Sequence, residues 1–168
     1  MAAELKPIGS DTAGFRSLNK AVLSLLSSYP GLGETEVVFE TLEDGTAGIA
    51  IGTNSGALII SQRESITGHI RQECQFPFFV IYRTSAKREA AKLRVADFLD
   101  TFGLWLMKQP VILNGETQHL TEYPELADGR RIKSITIFNS YGIDPMDDGY
   151  QDWYLPVTVN YTNEYDPW

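Results

Sequence analysis

Two histidines, one cysteine and a run of carboxylates are the side chains of this chain best suited to chemistry. His69 and His119 are far apart, and neither stands in the His-Glu-x-x-His spacing that places two imidazoles on one helix face. Cys74 is the only cysteine, so an intrachain disulfide and a cysteine-built zinc site are both excluded. Nothing beside it marks an activated nucleophile, and it reads as a structural thiol. Asp144, Asp147, Asp148 and Asp152 form an acidic run, and calcium favours several oxygen ligands on a turning loop. These carboxylates do not alternate, however, and no glutamate stands at the twelfth position of an EF-hand loop. A solvated acidic loop is the expectation. Gly45, Gly48, Gly52 and Gly56 lack the Gly-Lys-Ser/Thr ending of a phosphate-binding loop, so they read as turn residues. No Gly-x-Ser-x-Gly elbow and no His-His-x-x-x-Asp-Gly acyltransferase motif is present. The residues predict no catalytic centre, no metal ligand set and no cofactor.

The elements that carry these side chains are those of one globular domain spanning 1–168, with 1–10 and 164–168 expected to be flexible ends. A hydrophobic fraction of 43% and a charged fraction of 21% are ordinary for a packed core. The formal net charge is −8, and no Lys or Arg follows Lys133. That balance disfavours sequence-specific DNA binding, which needs clustered cations to displace counterions. The start MAAELKPIGS has no apolar segment of signal-peptide type, and no run approaches the ~20 apolar residues of a membrane span. A cytoplasmic site of synthesis is expected.

The stretch Gln75 to Met107 is the organising unit: a buried strand over Phe76 to Tyr82, a cap at Ser85 and a long amphipathic helix. Ala91, Val95, Phe98, Leu99, Phe102, Trp105 and Leu106 share one helix face, which predicts burial. Leu93 and Leu104 lie on the opposite face. An earlier helix is predicted through Phe15, Leu18, Val22, Leu25 and Leu26, with Asp11 or Thr12 as its cap and Tyr29-Pro30-Gly31 as its stop. Between the helices, Thr35 to Leu42, Ala47 to Ile51 and Ala57 to Ser61 read as an antiparallel meander, with turns at Glu43-Asp44-Gly45 and Asn54-Ser55-Gly56. Ser61 to Gln75 reads as a projecting loop or the solvated start of the long strand. Val111 to Arg131 carries turn signals at Asn114-Gly115 and Asp128-Gly129, and a segment of that length is expected to hide a short hairpin or helical turn. Ile132 to Phe138 and Trp153 to Thr162 are the closing strands. Pro77 is expected near the start of its strand, and Pro156 at an edge or bulge. The predicted fold class is α+β, a mainly antiparallel sheet of about five strands with two main helices packed on it.

The segment Phe78-Phe79-Val80-Ile81-Tyr82-Arg83-Thr84, followed by an Ala/Lys/Arg-rich helix, resembles the minor capsid proteins of tailed phages that infect Gram-positive bacteria. The closing segment Trp153 to Tyr165 resembles the end of the same family. The element order is similar to that of tail terminator proteins, small α+β subunits that form rings, typically hexameric, at the head-proximal end of the tail. The resemblance implies a non-enzymatic virion protein of the tail or neck, assembled in the bacterial cytoplasm. Its implied partners are further copies of itself, the major tail protein and the head-completion or connector proteins, with no membrane partner. Candidate contacts are Ile66 and Ile70 in the projecting segment, Leu93 and Leu104 on the helix, and Asp147 and Asp148 in the acidic connection. An acidic ring lumen would also repel DNA phosphates and let the genome pass. The alternative is a small cytoplasmic α+β adaptor that binds a ligand or peptide.

Overall fold

The computed structural model describes residues 7–32, 37–39, 47–53, 56–85 and 89–167. In chain order its elements are β1 (Gly9–Ser10), α1 (Phe15–Ser27), a 3-10 turn (Pro30–Leu32), β2 (Val37–Phe39), β3 (Gly48–Thr53), β4 (Leu58–Glu64) and β5 (Ile70–Ser85). These are followed by α2 (Glu89–Leu106), the hairpin β6 (Val111–Leu113) and β7 (Glu116–Gln118), β8 (Arg130–Ile137), β9 (Tyr141–Gly142) and β10 (Tyr150–Tyr165). The α+β character holds, but the expected sheet of about five strands is an eight-stranded one in the order β1-β4-β5-β10-β8, with β3, β2 and β9 attached beside that path. The difference has a simple origin. β1, β2 and β9 are two or three residues long, too short to show a period of two, and exist only because a long neighbour offers them hydrogen bonds.

β9 borders β10, β1 borders β4 and β2 borders β3, and the sheet as a whole is built on the pair β5 and β10. Each has 16 residues, and they are antiparallel in unbroken register from Tyr150 opposite Ser85 to Tyr165 opposite Ile70. Both strands run well beyond the apolar segments that predicted them. The meander is also corrected. β3 and β4 do not pair with each other; they lie end to end along the far side of β5, each antiparallel to it. β2 joins β3 in parallel. The Glu43-Asp44-Gly45 turn and Asn54-Ser55 lie outside the described residues. Gly9, Ser10, Glu164 and Tyr165, assigned to flexible ends, are in paired strands.

Two prolines sit in the middle of this ladder, contrary to their predicted edge and starting positions. The Pro156 carbonyl accepts from Phe138 N–H (3.0 Å), so Pro156 turns its backbone polar groups away from β5. Its missing donor falls between the last β9 pair, Tyr154 with Tyr141, and the first β8 pair, Val157 with Ile137. Pro77 occupies the matching place on β5, between the β4 pair at Gln75 and the β3 pair at Phe78. Backbone groups alternate in direction along an antiparallel strand, so Pro77 also points away from the shared ladder. Each proline therefore stands where its strand changes neighbour, and no ladder bond is lost.

Both helices cover one face of the sheet. Phe76, Phe78 and Val80 of β5 and Leu155, Val157, Val159 and Tyr161 of β10 alternate onto that face, where they meet Leu18, Val22, Leu25 and Leu26 of α1 and Val95, Leu99, Phe102 and Leu106 of α2. Tyr29 joins the two helices, its ring packed against Phe98, Phe102 and Trp105. Burial pushes its hydroxyl pKa up to about 12, aided by the charge of Asp97. Ser85, the expected helix cap, is instead the last residue of β5, paired with Tyr150; residues 86–88 lie outside the described set. The opaque segment holds the β6–β7 hairpin, whose Asn114 (φ 52°) and Gly115 (φ 80°) both adopt the left-handed conformation of a type I′ turn. Asp128 (φ 59°) and Gly129 (φ 78°) form a second such turn, and Glu164 N–H donates to the Gly129 carbonyl (3.0 Å).

A Cβ on Gly129 would run into the Glu164 carbonyl oxygen, on a backbone already in the left-handed region. Gly129→Ala is expected to cost at least about 1–3 kcal/mol, the usual range for a strained backbone site. Urea unfolding measures this, and an unchanged midpoint would contradict the close approach.

Candidate functional site

Beyond the helices the sheet continues as an arm. β4 and the first half of β5 form a hairpin, and the end of β10 is its third strand. Helix cover is replaced by a polar ladder of side chains: Gln72 Nε2 donates to Gln62 Oε1 (2.8 Å), and Asn163 Nδ2 donates to Gln72 Oε1 (3.1 Å). The tip is a tight turn in which Ser65 N–H donates to the His69 carbonyl and His69 N–H returns a bond to the Ser65 hydroxyl. Ile66 stands on this tip with a relative exposure of 107%. Ile70, at the base of the turn, is half-buried between Glu64 and Tyr165. His69 is partly exposed, its Nδ1 2.9 Å from Asp166 and Nε2 3.5 Å from Glu164. Those hydrogen bonds raise its pKa, Asp166 contributing most. His119 is exposed in the coil after β7.

Leu93 (72% exposed) and Leu104 (45%) share the outer stripe of α2, three turns apart. Leu104 borders an open groove of about 340 Å³ with Met107, Ile137 and the exposed Phe138. Gly103, buried on Ile137, lets α2 approach β8 here. Asp147 and Asp148 are exposed in the turn before β10, where Asp148 accepts from Tyr150 N–H (3.0 Å) and Gly149 N–H donates to the Met146 carbonyl. The six candidate contacts are thus not one site. Ile66 and Ile70 mark one end of the β5–β10 ladder, and Asp147 and Asp148 mark the other, roughly 50 Å away for 16 residues at about 3.3 Å each. Leu93 and Leu104 lie on the helix layer.

A buried polar cluster around Asp11 is an arrangement the sequence did not predict. Asp11 is buried, and its carboxylate accepts from Arg130 Nη2 (2.7 Å) and Nε (2.8 Å), from the Tyr161 hydroxyl (2.7 Å) and from Gly14 N–H (3.1 Å). The expected cap at Asp11 or Thr12 is corrected: the N-cap of α1 is Gly14, with no side-chain cap bond, and the Asp11 carboxylate takes the N–H of Gly14, just ahead of the helix. The other three join the start of α1 to β8 and β10. Gly14 leaves room for the pair, since a Cβ there would collide with both charged groups. Desolvation pushes the Asp11 carboxyl up, but the bonds from Arg130, Tyr161 and Gly14 outweigh it, and its pKa lies below the usual value of 3.8. The bond to Asp11 raises the Arg130 pKa. Burial, then the same bond, drives that of the Tyr161 hydroxyl far up. Asp11 alone had a local signal; Arg130 and Tyr161 are too distant in sequence for any spacing rule to join them.

This cluster is a clamp. Its carboxylate is fully engaged, and its hydroxyl is the donor that engages it, so no group is left to move a proton. Cys74 lies beside it, buried, and desolvation pushes its thiol up to about 11. The open cleft nearby, about 470 Å³, is lined by Lys108, Glu122, Tyr123, Glu125, Arg131 and Ile132 among others. There the Tyr123 hydroxyl is committed to the last-turn carbonyl of Leu106 (2.8 Å), and Lys108 sits 4.3 Å above the Tyr123 ring. Among the described residues no group of three or more His, Cys, Asp or Glu is placed to hold a metal, and no helix is long and apolar enough to cross a membrane. No protein-family model matches the chain, and no curated protein matches it.

Removing one partner of a buried ion pair costs about 3–5 kcal/mol, so Arg130→Leu is expected to lose that much at pH 7. Tyr161→Phe should lose roughly 1.5–3 kcal/mol, as for other hydrogen bonds to a charge. A carboxyl with a depressed folded pKa stabilises above its unfolded value and loses that contribution as pH falls through the folded one. The gap between wild type and Arg130→Leu should therefore narrow from pH 7 to pH 3 in urea titrations. A gap that widened on acidification would contradict the clamp. The Cys74 thiol should resist a disulfide reagent at pH 8 in the native protein and react on unfolding, which an absorbance assay follows directly.

Proposed function

We propose that this chain is a structural, non-enzymatic virion protein of a tailed phage, a ring-forming tail terminator or neck component that joins the tail tube to the head. The observation that carries the reading is the placement of its exposed apolar side chains. Ile66 tips a projecting three-stranded arm, while Leu93, Leu104 and Phe138 lie on the helix layer and its margin. A subunit of a closed ring needs two different surfaces that meet head to tail, because rotation about the ring axis never brings a patch onto its own copy. Two separate apolar features on a rigid frame meet that need. The resemblance of Phe78 to Thr84 and of Trp153 to Tyr165 to phage minor capsid proteins supports the same reading.

The acidic balance agrees with a passage for DNA, since a net charge of −8 disfavours retention of phosphate backbones. The adaptor alternative calls for a deep apolar pocket. The clefts named above open to solvent and have charged residues on their walls.

Sedimentation velocity and negative-stain microscopy of the protein, alone at high concentration and mixed with a major tail protein, test the proposal. The expected result is a species of several subunits with a central hole, or rings that cap tail tubes. A protein that stays monomeric in both conditions and leaves tubes uncapped would sink it.

A further inference from the structure

The face of the arm turned away from the helices holds an unfavourable charge arrangement. Arg63 on β4 and Arg71 on β5 are directly opposite each other in the register, and both are exposed. Like charges facing each other across an antiparallel pair destabilise it. Among the described residues the carboxylate that ion-pairs with this group is Glu73, shared between Arg71 (3.4 Å) and Lys133 (3.2 Å). Glu164, opposite Arg71 in the β10 register, is engaged by His69. Arg63 has no ion-pair partner among the described residues, nor has Arg131, exposed on the same face beyond Thr162. Two adjoining hollows run over this surface, about 290 Å³ between Arg63, Arg71 and Glu73, and about 330 Å³ between Glu73, Lys133 and Asn160. A basic trough is thus built into a chain of net charge −8.

The opposite end of the same ladder is its electrostatic counterpart. Asp144 and Asp147 are exposed in the connection before β10, in a stretch without Lys or Arg, and form no ion pair among the described residues. The two poles are roughly 45 Å apart along the strands. That is too far for one copy to satisfy itself.

We infer that the basic trough of Arg63, Arg71 and Lys133 receives the acidic loop of a second copy at Asp144 and Asp147, so that subunits join head to tail. The inference rests on the self-assembling reading above and specifies its contact. The occupant is argued from charge complementarity: carboxylates inserted between Arg63 and Arg71 would turn a repulsion into two charge-assisted bonds. The contact is heterologous, so it closes into a ring or extends as a filament according to its angle.

A charge swap tests it, read by sedimentation velocity and melting temperature. Arg63→Glu with Arg71→Glu, and separately Asp144→Lys with Asp147→Lys, should each weaken self-association at least tenfold while melting close to wild type. An equimolar mixture of the two variants should recover it, because each then offers the other a complementary pole. Wild-type association should fall as salt rises from 0.15 to 1 M, where the screening length shrinks from about 8 to about 3 Å. Oligomers that ignore the reversals, or strengthen with salt, would overturn this contact and leave the ring reading standing. A protein monomeric throughout, with or without tail protein, overturns both. Binding of a DNA oligonucleotide by a monomeric wild type, lost in Arg63→Glu with Arg71→Glu, would replace the second copy by nucleic acid as the occupant.

Discussion

The antiparallel ladder between β5 and β10 is the constraint on which the rest of the molecule depends. Sixteen residues of each strand face one another without a shift, and every other strand of the large sheet except β1 and β2 bonds directly to one of these two. A slip of β10 by one residue against β5 would turn Leu155, Val157, Val159 and Tyr161 out of the core together, so the pairing is held by the whole buried face. The two prolines fit because the ladder is continuous only on its shared side. On their outer sides β5 and β10 each serve two shorter strands in succession, and Pro77 and Pro156 fill the gaps between them.

The clamp of Asp11, Arg130 and Tyr161 gives this sheet a defined relation to its first helix. Asp11 N–H donates to the Ala57 carbonyl and its side chain reaches β8 and β10, so one residue ties the chain start to strands far along the sequence. Gly14 and Gly129 make the approach possible, one by leaving space over the pair and the other by turning the chain into Arg130 beside the β10 backbone. A buried pair of this kind is strongly unfavourable to break and contributes little net stability over an apolar replacement. Its value here is positional.

The surface has a different logic from the core. Apolar and charged features lie at the ends and on the helix layer, well separated, on a frame whose interior is closed. The arm buries polar side chains, Gln72 and Asn163, where the helix-covered part of the sheet buries apolar ones; it is held by hydrogen bonds, one of them to the exposed Gln62, and carries its apolar side chain at the tip. Such a molecule is suited to contact through several faces at once.

Composition and periodicity determined the α+β class, both helices, the central strand and the presence of a turn at Asn114-Gly115, though not its type. These depend on side-chain sequence within a few residues, through helix and strand periods and local backbone preferences. The exposure of Ile66, Leu93 and Leu104 was legible for the same reason, since each interrupts a local pattern. Tertiary structure alone decided the eight-strand count, the parallel β2–β3 pair, the end-to-end placement of β3 and β4 and the clamp. Short strands carry no signal of their own and form where a longer strand presents unpaired backbone groups. Asp11, Arg130 and Tyr161 meet, and Arg63 comes to face Arg71 over Glu73, only because the ladder aligns distant segments.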